Sequence, residues 1–158
     1  MVNRLFLDTS ILVGGVIDFG ASSEHPMEIF DRIACQSLPE VCTAWHCCLE
    51  FYSVVTRLPE EFRLDPTTAR ILLEEEILPR MRIGDLPAEE RMSFLHHVAR
   101  KEIRGGRIYD AHIGTVAMKM KATILVTENK KHFTDLPDPS CTVLSAKEFL
   151  ARLSSSGI

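Results

Sequence analysis

The sequence has no long hydrophobic run, no excess of positive charge and no paired-cysteine motif, and each absence excludes a class of protein. Its longest uncharged stretches, residues 9–17 and 41–49, are far shorter than the roughly 20 residues that a membrane-spanning helix needs. No apolar leader precedes the acidic residue at position 8, so we expect neither membrane insertion nor export. The net charge of -4 argues against coating of nucleic acid through bulk positive potential, so any such contact must be local.

The cysteines are odd in number and contain no Cys-x-x-Cys pair, which disfavours both a zinc site and a disulfide framework. Cys47 and Cys48 are adjacent, a spacing that suits no simple disulfide. We therefore expect reduced, buried thiols and a cytoplasmic location. The positions concerned are Cys35, Cys42, Cys47, Cys48 and Cys141.

The composition is that of an ordinary globular domain. Of the 158 residues, 46% are hydrophobic and 25% are charged, which is enough apolar material for one sizeable core. No linker, repeat or low-complexity tract divides the chain. We predict a single domain over residues 1–153 and a frayed C-terminal tail over residues 154–158.

Short apolar runs alternate with helical patterns along the chain. Strands are predicted at residues 3–7, 40–42, 80–83, 122–127 and 141–144. Helices are predicted at residues 26–34, 43–58, 65–79, 87–104, 109–121 and 145–153. Thr43 is predicted to cap the second of these helices, and Gly105 and Gly106 are predicted to end the fourth. Ser145 and Glu148 are predicted to form a capping box at the start of the last helix. This alternation predicts an α/β fold in which helices cover both faces of a central parallel sheet of four to five strands, with the ligand site beyond the strands' carboxyl ends.

Three acids stand where apolar elements begin or end. Asp8 follows an apolar strand, Glu50 lies within an apolar helix, and Asp110 begins another. Acids beside a core need a partner, and a shared Mg²⁺ or Mn²⁺ would relieve their repulsion and could activate water against a phosphodiester. Alternatively, each acid is a helix cap or the ion-pair partner of a nearby cation such as Arg57, Lys101 or Arg104.

Four segments in order resemble the motifs of PIN domains, most of all those of VapC-type toxin ribonucleases. They are residues 5–12, 49–57, 107–113 and 125–133, which read LFLDTSIL, LEFYSVVTR, RIYDAHI and LVTENKKHF. The resemblance runs from about residue 5 to 149. It implies a three-layer α/β/α fold, Mg²⁺- or Mn²⁺-dependent RNA cleavage leaving 3′-hydroxyl and 5′-phosphate ends, frequent homodimers and inhibition by a small antitoxin protein.

The resemblance also implies roles for particular residues. Asp8, Glu50 and Asp110 match the metal-binding acids, Ser10 matches a hydroxyl that supports the first acid, and Thr127 matches the threonine after the late strand.

The sequence departs from the family pattern at Asn129, where the family often has a fourth aspartate. Asparagine keeps an oxygen ligand without the charge, so a second metal site would be weaker here. Asp135 could replace it only if the intervening loop folds back.

Other features have two interpretations. Arg104 and Arg107 lie in a basic segment leading to Asp110, which could hold RNA phosphates or simply be a solvated helix end. Trp45 and His46 could stack on a base, but a core position is expected. For a homodimer, apolar residues on short helices are the predicted contact, namely Ile71, Leu72 and Ile77.

Two alternatives to the nuclease stay open. One is a catalytically weak PIN scaffold that binds RNA or a protein partner. The other is a haloacid-dehalogenase-like phosphatase, which also opens with a strand ending in Asp-Thr. Such enzymes need a second aspartate two positions after the first, where this chain has Ser10.

Overall fold

A computed structural model describes residues 4–157. The strands are β1 (Arg4–Leu7), β2 (Glu40–Ala44), β3 (Arg82–Gly84), β4 (Ile124–Val126) and β5 (Thr142–Leu144). The helices are α1 (Thr9–Val16), α2 (Glu24–Ala34), α3 (Trp45–Val55), α4 (Pro66–Leu72), α5 (Arg91–Arg100), α6 (Arg107–Lys119) and α7 (Ala146–Ser155). A π-helical turn (Leu73–Ile77) extends α4, and 3-10 turns are formed by Ala21–Ser23, Ala88–Glu90 and Lys130–Phe133. Position 3, the predicted start of the first strand, lies outside the described residues.

The five strands form one sheet in the order β3-β2-β1-β4-β5, and every neighbouring pair is parallel. In the register, Phe6 of β1 lies opposite Cys42 of β2 and Leu125 of β4. The prediction of an α/β fold with four to five parallel strands is therefore confirmed. Because all strands run the same way, their carboxyl ends share one edge of the sheet.

The sheet is the middle layer of a three-layer α/β/α fold. Helix α1 packs against α2 and α3, and α2 also packs against α7. Helix α6 packs against β2 and α5. Strand β1 contributes Leu5, Phe6 and Leu7 to the core, all completely buried, as expected for a central strand covered on both faces. Among residues 4–157, no helix is long and apolar enough to cross a membrane.

Several local predictions are confirmed. Ser145 and Glu148 form a reciprocal capping box at the start of α7. A helix also begins near the predicted residue 65, where Asp65 caps α4 and its carboxylate accepts from the backbone N–H of Thr68 at 3.0 Å. These motifs were recognisable because each side chain acts on its own helix, within three residues along the chain.

Other boundaries were wrong. Thr43 does not cap α3; it lies within β2, where its buried hydroxyl donates to the carbonyl of Leu7 at 2.7 Å. Helix α5 ends at Arg100, well before the predicted stop at Gly105. Helix α7 continues to Ser155, two residues past the predicted helix end. Position 158 lies outside the described residues.

The cysteines follow the prediction with one exception. All five thiols are free, and four are buried, but Cys35 is exposed after α2. Burial raises the pKa of the Cys47 thiol to about 12, so this group stays protonated and unreactive near neutral pH.

Candidate functional site

The predicted acids meet at the carboxyl edge of the sheet. Asp8 directly follows β1, and Glu50 lies on α3, which begins directly after β2. Asp110 lies in the first turn of α6. All three side chains line one open groove, which we call the carboxylate groove. The parallel sheet thus brings together three acids that are far apart in the sequence.

Asp8 is the buried member of this group, with only 5% of the residue exposed. Its Oδ2 atom accepts hydrogen bonds from the hydroxyls of Thr127, at 2.7 Å, and Ser10, at 3.2 Å. Burial is the main cause that raises the pKa of Asp8; the two hydroxyls lower it and the charge of Glu50 raises it further. No cation among the described residues forms an ion pair with Asp8, so its charge is uncompensated.

The two supporting hydroxyls also fix the loop after β4. Ser10 accepts from the backbone N–H of Glu128, and Thr127 accepts from that of Asn129, each at 3.0 Å. These bonds hold the loop against the start of α1. Ser10 stands where a phosphatase would need its second aspartate, and its hydroxyl here has a structural role instead. The phosphatase alternative is therefore unsupported.

Glu50 and Asp110 are more exposed, and each has a histidine partner. His46 Nε2 lies 3.2 Å from Glu50 Oε2, one helical turn away on α3. His132 Nδ1 lies 3.5 Å from Asp110 Oδ2. Burial is the main cause that raises the pKa of Asp110; the charge of Glu50 also raises it, whereas His132 lowers it.

The sequence-based assignment did not include these histidines. His46 was expected to be a base-stacking or core residue, although its four-residue spacing from Glu50 was the signal for an ion pair. His132 stands in the fourth family-like segment, but only the folded loop brings it to α6. The expectation for Trp45 was wrong, because this residue is 43% exposed. The ring of His46 instead stacks on Tyr109, with centroids 5.5 Å apart.

The remaining candidates divide between the groove and its surroundings. Asn129 lines the carboxylate groove, whereas Asp135 and Arg107 line a neighbouring recess. The charge of Arg107 still acts on Asp110 and lowers its pKa. Arg104 lines neither cavity, and its exposed guanidinium lies 4.0 Å from Glu102.

The alternative of caps and ordinary ion pairs does not describe the three acids. Asp8 occupies the cap position of α1 but makes no side-chain capping bond. The ion pairs of Glu50 and Asp110 are with histidines, and none involves the cations named in the sequence analysis. Glu50 and Asp110 thus pair with histidines, and Asp8 has hydroxyl donors in place of a cationic partner.

The groove fits a hard cation held largely through water. Within residues 4–157, no group of three His, Cys, Asp or Glu side chains is arranged so that it could hold a metal ion as it stands. Mg²⁺ does not need such a cage, because it usually keeps several waters and binds one or two carboxylates plus substrate phosphate. The buried, uncompensated carboxylate of Asp8 and the oxygen atoms around it suit this mode of binding.

Comparisons with known proteins identify the family. A model of the PIN domain matches residues 5–138. Ribonuclease VapC27 of Mycobacterium tuberculosis is 34% identical over 85 residues, which are 54% of this chain and 60% of that protein. Ribonuclease VapC40 of the same species is 28% identical over 121 residues, which are 77% of this chain and 84% of that protein.

A solved structure supports the same fold. VapBC2 from Rickettsia felis, bound to a DNA fragment of its promoter, matches with a TM-score of 0.59 and 19% identity, over 90% of this chain and 98% of that chain. The family model covers most of the sequence and the parallel sheet agrees with it, so this chain belongs to the PIN-domain family.

Proposed function

We propose that the chain is a metal-dependent endoribonuclease that hydrolyses RNA phosphodiester bonds in the carboxylate groove. The observation that carries the proposal is Asp8, a buried carboxylate without a cationic partner, beside the acids Glu50 and Asp110. Burial of an uncompensated charge costs stability, which a bound cation would restore. The names of the relatives, Ribonuclease VapC27 and Ribonuclease VapC40, support this chemistry.

The proposed cofactor is Mg²⁺ or Mn²⁺. Asp8 would be the central ligand, and Glu50 and Asp110 would hold the ion directly or through water. When bound, the ion neutralises phosphate charge and activates water for in-line attack. Asn129 offers the groove an uncharged oxygen, so a second ion would bind more weakly than at a fourth carboxylate.

The chain itself positions these groups. Ser10 and Thr127 hold Oδ2 of Asp8, which fixes the orientation of the carboxylate. His46 engages Oε2 of Glu50 and leaves the other carboxylate oxygen to orient the attacking water. Attack of water on phosphorus with departure of the 3′ oxygen leaves a 5′-phosphate and a 3′-hydroxyl.

End-labelled structured RNAs incubated with the protein and Mn²⁺ test this function. We expect cleavage that chelator abolishes and that Asp8→Asn and Asp110→Asn remove. Asp31→Asn is the matched control, because Asp31 is an exposed acid on α2 that does not line the groove. A 2′,3′-cyclic phosphate on the products would exclude the mechanism, since it requires attack by the ribose hydroxyl instead of water.

We further propose that the protein is the toxin of a toxin-antitoxin pair and that a small antitoxin binds it. The similarity to VapC-named relatives and to the VapBC2 fold supports this assignment. The five free thiols agree with a cytoplasmic location, where RNA is available and thiols stay reduced. A short adjacent reading frame encoding a DNA-binding protein whose product copurifies with this chain would support the pairing.

A catalytically weak scaffold that binds RNA remains the second candidate. The observation in its favour is Asn129, which lines the groove at the position where the resemblance to the family implies a fourth aspartate. Under this alternative, RNA binds to the parent protein without any metal-dependent cleavage.

A homodimer is also proposed, but at a surface different from the one expected. Ile77 is completely buried, so it cannot form the predicted contact. Trp45, Leu49 and Tyr52 are instead exposed on one face of α3, at spacings of four and three residues. We call this surface the α3 apolar face, and large exposed apolar side chains in such a row favour contact with another chain.

A further inference from the structure

A second recess adjoins the carboxylate groove. Asp110 and His132 line both spaces, so the recess begins on the far side of these two residues. It lies among the first turns of α6, the end of α5 and the loop that follows the 3-10 turn Lys130–Phe133. Its volume is about 80 Å³. We call it the α6 recess; its walls include Ile103, Arg107, Thr115, Phe133 and Leu136.

Small residues on α6 create this space. Ala111 and Gly114 form part of its lining, where larger side chains would fill it. A Cβ atom at Gly114 would stand 2.9 Å from Cδ2 of Leu136, too close for the present packing. The glycine therefore lets the loop carrying Leu136 approach the helix, and this approach closes one wall of the recess.

The lining combines apolar walls with a polar rim. Ile103, Phe133 and Leu136 present apolar surface. Arg107 is exposed at the rim and forms no ion pair within residues 4–157, although its charge acts on the neighbouring Asp110. The hydroxyl of Thr115 donates to the carbonyl of Ala111 at 2.8 Å, which leaves its oxygen free to accept. An unstacked nucleobase has the complementary character, because its faces are apolar and its edges donate and accept hydrogen bonds.

Size selects the kind of base. An enclosed cavity of about 150 Å³ holds one benzene ring. The α6 recess, at about 80 Å³ and open on one side, is about half that size and admits only part of a base, so the single ring of a pyrimidine leaves less of the base outside it than the fused rings of a purine do. The recess continues directly from the carboxylate groove past Asp110, so a nucleotide next to the cleaved bond could place its base there.

We infer that the α6 recess binds the unstacked pyrimidine base of the nucleotide beside the scissile phosphate, with Arg107 at its rim. This inference rests on the proposed RNA cleavage but concerns a separate cavity. It makes the enzyme selective for single-stranded or loop RNA, because a base within a duplex cannot leave its stack without cost.

Nuclear magnetic resonance of the ¹⁵N-labelled full chain with Mg²⁺ tests the recess without any cleavage. Uridine 5′-monophosphate should shift the amide signals of Gly114 and Thr115, and adenosine 5′-monophosphate should bind about tenfold more weakly, the loss expected for one ring contact. Thr115→Leu fills the recess and should abolish the uridine shifts, whereas the isosteric Thr115→Val removes only the acceptor hydroxyl and should weaken the binding without abolishing the shifts. Equal binding of both nucleotides, or uridine shifts that survive Thr115→Leu, would overturn the inference.

Three further variants keep the test independent of folding defects. If Thr115→Leu does not fold, Ile103→Trp fills the recess from the opposite wall and should have the same effect. Arg107→Gln should weaken uridine binding, whereas Arg104→Gln should not, because Arg104 lies outside the recess. Equal effects of the two arginine variants would contradict a specific role for the rim.

Cleavage of RNAs with randomised single-stranded segments distinguishes failure of the two proposals. The parent should prefer a pyrimidine at one position beside the cut, and the recess-filling variant should cut without that preference. Cleavage without any base preference would remove the recess inference and leave the nuclease intact. Uridine binding in the recess without cleavage of any RNA would remove the nuclease proposal and leave the recess as a binding site.

Discussion

The hydroxyl of Thr127 donates to the carboxylate of Asp8 at 2.7 Å, although 119 residues separate the two positions. The bond exists because β1 and β4 are parallel neighbours, with Leu7 opposite Val126, so the residues that follow them meet at the same edge. It is one of the few favourable interactions of this buried carboxylate. Burial itself raises the pKa of Asp8. The stability of the sheet edge and the charge of the site are therefore coupled.

Thr127→Val should destabilise the protein more than Thr43→Val. Both threonines are completely buried, and each hydroxyl donates at 2.7 Å, to a carboxylate in one case and to the Leu7 carbonyl in the other. A hydrogen bond to a charged group contributes about 1.5–3 kcal/mol, against about 0.5–1.5 kcal/mol for a neutral pair. Denaturant unfolding at pH 7 measures the loss in free energy of unfolding that each substitution causes.

Acid conditions supply the control for this comparison. Once Asp8 is protonated, Thr127 donates to a neutral acid, and the two losses should become similar. A gap that persists unchanged at low pH would show that the charge of Asp8 is not the cause.

His132→Gln should move the acidic limb of the cleavage profile to higher pH. The charge of His132 lowers the pKa of Asp110, so loss of the imidazole removes that influence and Asp110 stays protonated to a higher pH. Activity should fall most in the acidic range and least at alkaline pH. His96→Gln is the control, because His96 is exposed on α5 and lines neither cavity. A uniform loss at all pH values would instead indicate a role in substrate binding.

Leu49→Glu should convert the proposed homodimer to a monomer. The substitution places a charge within the α3 apolar face, where a second copy would bury Leu49, now 55% exposed. Light scattering should give twice 17.8 kDa for the parent and 17.8 kDa for the variant. Ile71→Glu should leave the dimer intact. If Ile71→Glu produces a monomer and Leu49→Glu does not, the dimer forms through the short helices named in the sequence analysis and not through the α3 apolar face.

The sequence predicted the parts of the fold that depend on local pattern. The alternation of strands and helices correctly predicted the parallel sheet. Because the carboxyl ends of parallel strands share one edge, Asp8 and Glu50 could be expected to lie close together there. The capping box of Ser145 and Glu148 was also recognisable, because a capping interaction is complete within one helical turn.

Residues whose roles depend on tertiary packing were missed. Thr43 has the side chain of a helix cap, but its hydroxyl satisfies a carbonyl of the neighbouring strand instead. Trp45 was expected in the core from its hydrophobicity, yet it faces outward at the start of α3. His132 reaches Asp110 only through the course of the loop after β4, which periodicity does not encode. Side-chain type alone could not distinguish these outcomes.

Asp8→Asn and Asp110→Asn should leave the metal-free protein as stable as the parent or more stable at pH 7. Burial raises the folded-state pKa of both acids, from an ordinary value of 3.8. The folded protein therefore holds these protons more tightly than the unfolded chain, so stability is greatest below the unfolded pKa and declines as pH rises through the folded pKa. Each unit of elevation corresponds to about 1.4 kcal/mol for a fully buried group, and less for the partly exposed Asp110.

Thermal melts of the parent and both variants, first with chelator and then with excess Mn²⁺, measure the sign of this effect. The parent should be stabilised by Mn²⁺, because the ion binds only the folded state, and the variants should lose that stabilisation. The advantage of the variants in chelator should disappear below the ordinary pKa of 3.8, where these acids of the parent are protonated in both the folded and the unfolded chain. If the acids were instead structural caps or ion-pair partners, both substitutions would cost about 0.5–2 kcal/mol. Two destabilised variants beside a parent that does not respond to Mn²⁺ would therefore refute the metal-dependent nuclease.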